Sequence, residues 1–201
     1  MLVMIAISFI WSFAEGICFF IVPDVVISYY STNGVRSALY STLAVVVGSI
    51  AAAILINIAL GYNFEFWSES LKTLWANLPG FYPSMLEVAK GHLSEGQARG
   101  LLTGPTSGIP YRFYVLEAFI QNIPLGELLI WTPLARLQRI IIAPVVVLGL
   151  RFGLDRLSLR FPKMGIDYRR RILLVLITAY WILTYIWYWF YFLPQTYGAH
   201  L

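Results

Sequence analysis

Apolar residues in this chain come in long blocks rather than at the spacing of half-buried strands or of helices with one wet face. A helix needs about 20 mostly apolar residues to cross ~30 Å of hydrocarbon, and three segments qualify. Residues 36–60 carry no charge between Arg36 and Leu60. The small residues Ala44, Gly48, Ser49, Ala51, Ala52 and Ala53 would let a neighbouring helix approach closely, as in a packed central helix. Residues 126–150 form a second span that carries Glu127, Arg136 and Arg139 and is interrupted by Pro133 and Pro144. Residues 172–193 form a third, uncharged, and its stretch from Trp181 to Phe192 is dense in Trp and Tyr, as an interfacial belt in contact with lipid would be.

The remaining apolar segments are too short to cross. Met1 to Phe13 runs into Glu15, Pro23 and Asp24 before a second apolar stretch ends at Asn33-Gly34. A secretory leader would need a basic start and a small-residue cleavage site; the expectation is instead a hairpin of two half-helices that turns back inside the membrane. The pattern recurs. Leu93 to Leu102 reads as a short helix, residues 103–110 (Thr-Gly-Pro-Thr-Ser-Gly-Ile-Pro) as a breaker, and Tyr111 to Gln121 as a return. Two copies of hairpin-then-helix follow, residues 1–60 and 93–150. Interrupted apolar segments at matching positions in two halves are the usual pointer to a transport site. Within residues 61–92, Phe64, Trp67, Leu71, Leu74, Trp75 and Leu78 recur at helical spacing with Glu65, Glu69 and Lys72 opposite, predicting an amphipathic helix in the interface.

Composition agrees with a membrane protein. Of 201 residues 59% are hydrophobic and only 12% charged, against roughly 25% charged in a soluble domain, and the mean hydropathy is +0.73. This disfavours disorder, zinc modules and nucleic-acid-binding domains. The single cysteine, Cys18, excludes an intrachain disulfide and reads as an apolar filler; no Cys/His spacing suggests a metal site and no cofactor is implied. Seven of the fourteen basic residues (Arg151, Arg156, Arg160, Lys163, Arg169, Arg170, Arg171) lie in residues 151–171, which are therefore expected in the cytoplasm. Residues 61–92, with two lysines and three glutamates, then fall outside, and the hairpins open to opposite faces. The fold class is thus all-α and integral to the membrane: an inverted repeat of re-entrant hairpin plus transmembrane helix, with an extra C-terminal transmembrane helix.

Five ionisable groups at membrane depth need a reason, since each costs about 2.5–3.5 kcal/mol near the bilayer centre on insertion scales. Glu15 and Asp24 stand nine residues apart across Pro23, Arg112 follows the second breaker, and Arg136 and Arg139 lie three apart on one helix face. Like charges at that spacing repel and want an anion opposite. Guanidinium forks hold phosphate or carboxylate and keep their proton, and helices starting at Pro23 and Pro110 would aim backbone amides at the same place. The pattern describes a phosphate-sized site lined by Arg112, Arg136 and Arg139, with Glu15 and Asp24 able to carry protons and with Pro23, Gly108 and Pro110 at the hairpin tips. The bland reading is that the carboxylates simply neutralise Arg136 and Arg139. Glu117 and Glu127 fit either a cavity wall or the water boundary, and His92 an interfacial surface. Gly149 and Gly153 have the spacing of a helix-dimerisation face and suggest a homo-oligomer, a signal that Arg151 between them weakens.

At these residues the sequence resembles the DedA family, also called the VTT-domain or SNARE-associated-Golgi-protein family, in particular its YqaA-like branch. The resemblance is carried by Phe13-Ala14-Glu15-Gly16 leading to Val22-Pro23-Asp24, then Gly108-Ile109-Pro110-Tyr111-Arg112, then Ala135-Arg136-Leu137-Gln138-Arg139, in order across residues 8–150. Arg112 stands where that family usually has Lys, and Ala135 where it has Gly; the C-terminal span lies outside the resemblance. It implies two facing re-entrant hairpins in a bacterial inner membrane and proton-linked movement of polyprenyl phosphate or phospholipid. Glu15 and Asp24 would be the proton-linked carboxylates, Arg136 and Arg139 the arginine pair, and Arg112 a hairpin-tip cation. The expected partners are therefore a lipid-phosphate substrate and protons. Rival classes are a proton-coupled small-ion carrier or channel and a non-catalytic assembly protein. A membrane enzyme is disfavoured, for want of a Ser/His/Asp set, a Cys/His pair or a metal cluster.

Overall fold

The computed structural model describes residues 1–159 and 165–198, whose regular structure is all helical, with no strand among them. Arg160 and Lys163 of the basic loop lie outside the described residues. Helix α1 (Leu2–Ile17) leads through an irregular turn to α2 (Asp24–Ser31), which starts directly after Pro23. The chain reverses at Asn33-Gly34, where Gly34 has φ 120°, a conformation open to glycine, and then forms α3 (Val35–Tyr62).

Small residues decide how α1 meets α3. Ser8 bonds Ser41 (2.8 Å), Ser12 bonds Ser49 (2.8 Å) and the Val45 carbonyl (2.7 Å), and Gly16 lies against Ala52. Positions rise together on both helices, so α1 and α3 run parallel and α2 runs back beside them. Both ends of the α1–α2 unit thus lie toward the start of α3, while its tip stands level with Ala52, about 26 Å along at 1.5 Å per residue.

Helix α4 (Phe64–Ala76) is capped by the Asn63 side chain, which accepts from the Phe66 amide at 3.1 Å. Its expected apolar stripe divides. Leu71 and Trp75 are buried in the main core, whereas Phe64, Trp67 and Leu74 remain exposed. Helix α5 (Ser84–Gly96) starts earlier than the short helix expected from Leu93, so part of the predicted loop is ordered helix. A 3-10 segment (Gln97–Thr103) and the single turn α6 (Gly104–Ser107) complete the second breaker, and α7 (Tyr111–Ile120) returns.

The span expected at 126–150 is two helices, α8 (Leu125–Ile140) and α9 (Ile142–Ser158). Pro144 has no N–H to give the Ile140 carbonyl, which explains the break there better than Pro133, which α8 absorbs. Arg136 lies beside Ser49 and Ile140 packs with Val45 and Val46, so α8 runs antiparallel to α3. Helix α10 (Ile166–Trp187) passes through a π turn (Tyr188–Phe192) into α11 (Leu193–Tyr197). The wider turn accommodates Pro194, whose ring would clash in a regular helix. Three stretches, Val35–Tyr62, Leu125–Ser158 and Ile166–Tyr197, are long and apolar enough to cross a membrane.

A Cβ at Gly48 would stand 2.5 Å from the Phe9 carbonyl oxygen and 3.0 Å from Ser12 Cβ, both on the backbone-near side of α1, whereas one at Gly61 would meet nothing within 4 Å. Gly48→Ala should therefore lower unfolding stability in detergent by about 1–3 kcal/mol and Gly61→Ala leave it within about 0.5 kcal/mol, as read by thermal unfolding. Equal effects would refute the close α1–α3 contact.

Candidate functional site

All five ionisable residues singled out in the sequence converge where the α1–α2 tip meets α7 and α8. Glu15, in the last turn of α1 and 4% exposed, accepts from Arg136 Nη2 at 2.5 Å. Arg136 also donates through Nε to Ser49 Oγ at 2.8 Å, and the Tyr111 ring lies 5.2 Å from its guanidinium carbon. Asp24, the first residue of α2 and equally buried, accepts from Arg139 Nη2 at 3.0 Å. A carboxylate there also faces the positive end of its own helix.

Arg112 is held differently. Its Nη1 donates to the carbonyls of Glu15 (3.2 Å) and Phe19 (3.1 Å), capping the negative end of α1, and Phe113 and Trp75 rings lie 5.1 and 5.9 Å from its guanidinium carbon. Among the described residues no carboxylate pairs with it, its buried Nε has no hydrogen-bond partner, and its Nη2 makes no hydrogen bond to the protein.

Glu15, Asp24, Arg112 and Arg139 form the polar end of a cavity of about 560 Å³. Gly108 and Pro110 lie on its wall; Pro23 is buried behind Asp24. The cavity continues between α9 and α10 along Ile142, Val146 and Leu150 on one side and Leu176 and Tyr180 on the other, all exposed on the outer surface. Its charged residues are thus buried or half-buried, its apolar part reaches the surface between α9 and α10, and it also borders exposed Pro79, Thr106 and Trp187. Arg136 departs from expectation: it lies outside this cavity, against a void of about 20 Å³ shared with Tyr111, Tyr114 and Arg139. Its pair with Glu15 closes the cavity's back wall.

The aromatic stripe of the last helix was expected to touch only lipid. One face does stay exposed, with Ile182, Leu183, Ile186 and Phe190. The other lines the cavity and ties down both breakers. The Val22 amide donates to Tyr185 Oη (2.8 Å), and Tyr188 Oη donates to the Gly108 carbonyl (2.8 Å). Trp181 Nε1 donates to Ser28 Oγ (3.2 Å). The signal for this lay in the spacing of Trp181, Tyr185 and Tyr188, three polar-tipped aromatics on one face.

Other candidates fall outside the cavity. Glu117 is 6% exposed on α7, where burial pushes its carboxyl up and the Lys72 charge pulls it back. Glu127 is half-buried at the start of α8. His92 is half-buried rather than at a free surface, its Nδ1 2.8 Å from Tyr114 Oη. Cys18 is half-buried in the α1–α2 tip. Among the described residues no three His, Cys, Asp or Glu side chains are grouped to hold a metal ion. Compared with protein families, curated proteins and solved structures, the chain matches none.

Removing one partner of a buried pair leaves an uncompensated charge, typically costing about 3–5 kcal/mol, whereas replacing both costs far less. Arg136→Met should therefore destabilise the protein strongly in detergent, and Arg136→Met with Glu15→Leu should recover most of the loss, as measured by thermal unfolding. Additive losses would disprove the pairing.

Proposed function

We propose that this protein is a membrane transporter of the DedA kind, a proton-linked flippase or scramblase for a lipid phosphate, polyprenyl phosphate or phospholipid. One observation carries the reading: a cavity that holds buried arginine and carboxylate side chains and runs out between α9 and α10 among exposed apolar side chains. Such a shape suits an amphiphile, with the headgroup at Arg112 and Arg139 and the tail left in lipid. A carrier for a small ion has no need of that apolar exit.

In this mechanism α1–α2 and the unit ending in α7 are re-entrant hairpins facing each other, and α3, α8–α9 and α10 cross the bilayer. The chain sits in a bacterial inner membrane with residues 151–171 in the cytoplasm. Arg151 and Arg170 approach the Asn33-Gly34 turn, so the basic segment and the base of the first hairpin share one face. Protonation of Asp24 removes the partner of Arg139 and leaves that guanidinium free for the headgroup; headgroup binding and proton uptake therefore favour each other. Glu15 and Arg136 act as the second pair, bracing α1 against α8 and able to follow the same proton logic.

The test is reconstitution into liposomes with a fluorescent lipid phosphate and an externally added quencher. The wild-type protein should move the lipid between leaflets. Arg139→Ala and Asp24→Asn should slow it about tenfold or more, equivalent to ~1.4 kcal/mol, and Arg136→Ala and Glu15→Gln should abolish it, with all four variants still inserted. No movement by the wild-type protein, with or without a pH gradient, would overturn the reading.

A further inference from the structure

The charges that meet at the cavity do not cancel. Glu15 and Asp24 are each taken up by their own arginine, Arg136 and Arg139, and Arg112 contributes a third guanidinium held only by neutral carbonyls. The other titratable groups facing this cluster are Tyr111 from α7, Tyr185 and Tyr188 from the last helix and Cys18 from the tip, all neutral in their ordinary forms. Among the described residues, one positive charge is therefore unmatched in a place largely sealed from water, where an uncompensated charge is expensive.

We infer that the cavity selects its ligand by charge: with both carboxylates ionised it takes an amphiphile whose oxyanion headgroup carries one negative charge, and a doubly charged headgroup enters only together with one proton. This rests on the reading of the cavity as a lipid-phosphate site and deepens it by setting the charge class of the headgroup. A phosphodiester lipid and a fatty carboxylate both present the single charge. A phosphate monoester, a dianion above about pH 7, needs a proton, on its own oxygen or on Asp24 or Glu15; the thermodynamic demand is the same wherever the proton sits. Arg112 is the resident anion contact, since its free Nη2 needs no broken ion pair, and Arg139 is recruited only when Asp24 is neutralised.

Binding in detergent tests this independently of transport. Short-chain lipids are titrated against the purified protein, with quenching of Trp181 and Trp189, which line the cavity, as the signal. All proteins carry Cys18→Ser, since a free thiol ordinarily titrates near ~8.5. Between about pH 7.5 and 9 the affinity for a monoalkyl phosphate should fall about tenfold per pH unit, the slope of one bound proton, while that for a dialkyl phosphodiester stays flat. Asp24→Asn should abolish the slope for the monoester and still bind the diester; Glu15→Gln serves the same purpose should Asp24→Asn not fold. Arg112→Gln should weaken the diester about tenfold or more, and so should exchanging the diester for a zwitterionic phosphatidylcholine. A matched alkyl carboxylate arm tells the sources apart: binding equal to the diester marks a general monoanion site, weaker binding a phosphate site. A flat monoester profile in the wild-type background, a slope that survives in both neutralised variants, or no binding of any anion would overturn the inference. Binding that follows the charge rule in a protein that moves no lipid would overturn transport alone.

Discussion

Buried charge is the constraint on which this structure depends. Apart from Glu117, the charged side chains buried among the described residues are Glu15, Asp24, Arg112 and Arg136, with half-buried Arg139 beside them. None of these is affordable alone in a low-dielectric interior. The α1–α2 tip must therefore stay where its two carboxylates reach two arginines of α8, and α7 must bring Arg112 to the carbonyl end of α1. Serine and glycine along α1 and α3 make this geometrically possible, because they let the two helices run close and parallel so that Glu15 arrives level with Ser49 and Arg136.

The same constraint explains the role of the last helix. A broken helix leaves amides and carbonyls that have no partner in the chain's own ladder, and lipid offers none. Tyr185 accepts the Val22 amide of one breaker and Tyr188 donates to the Gly108 carbonyl of the other, so one helix takes up a backbone group from each interruption and walls the cavity at once. The π turn at Tyr188–Phe192 sits at that junction, where a regular helix would meet Pro194. Charge pairing fixes the inner end of the cavity, and aromatic hydrogen bonding fixes its flank.

Much of this was legible in the sequence, because the strongest signals were departures from an apolar background. Apolar length marks α3 and the two later stretches, and the isolated charges Glu15, Asp24, Arg112, Arg136 and Arg139 stand out against that background. What the pattern could not assign was pairing and facing. Arg136 and Arg139 look alike in sequence, yet the helical twist between them turns one toward Ser49 and the other toward the cavity. The Trp/Tyr stripe fits a lipid belt by composition alone; which face is covered depends on where α2 and the second breaker come to rest. The α8–α9 break falls at Pro144, whereas Pro133 is absorbed within α8, and both prolines look alike in the sequence. The stripe of α4 divides because only Leu71 and Trp75 reach the core.

The central claim is that the tip carrying Glu15 and Asp24 lies inside the bilayer rather than in water. Cys18, the chain's one cysteine, sits between them, so a nitroxide attached there reads its surroundings with no other residue changed. The most direct measurement is its collision rate in proteoliposomes with oxygen, which concentrates in lipid, and with a water-soluble nickel complex. A rate dominated by oxygen, with nickel excluded from both sides, is the expected result; a rate dominated by nickel would place the tip in solvent and contradict the claim.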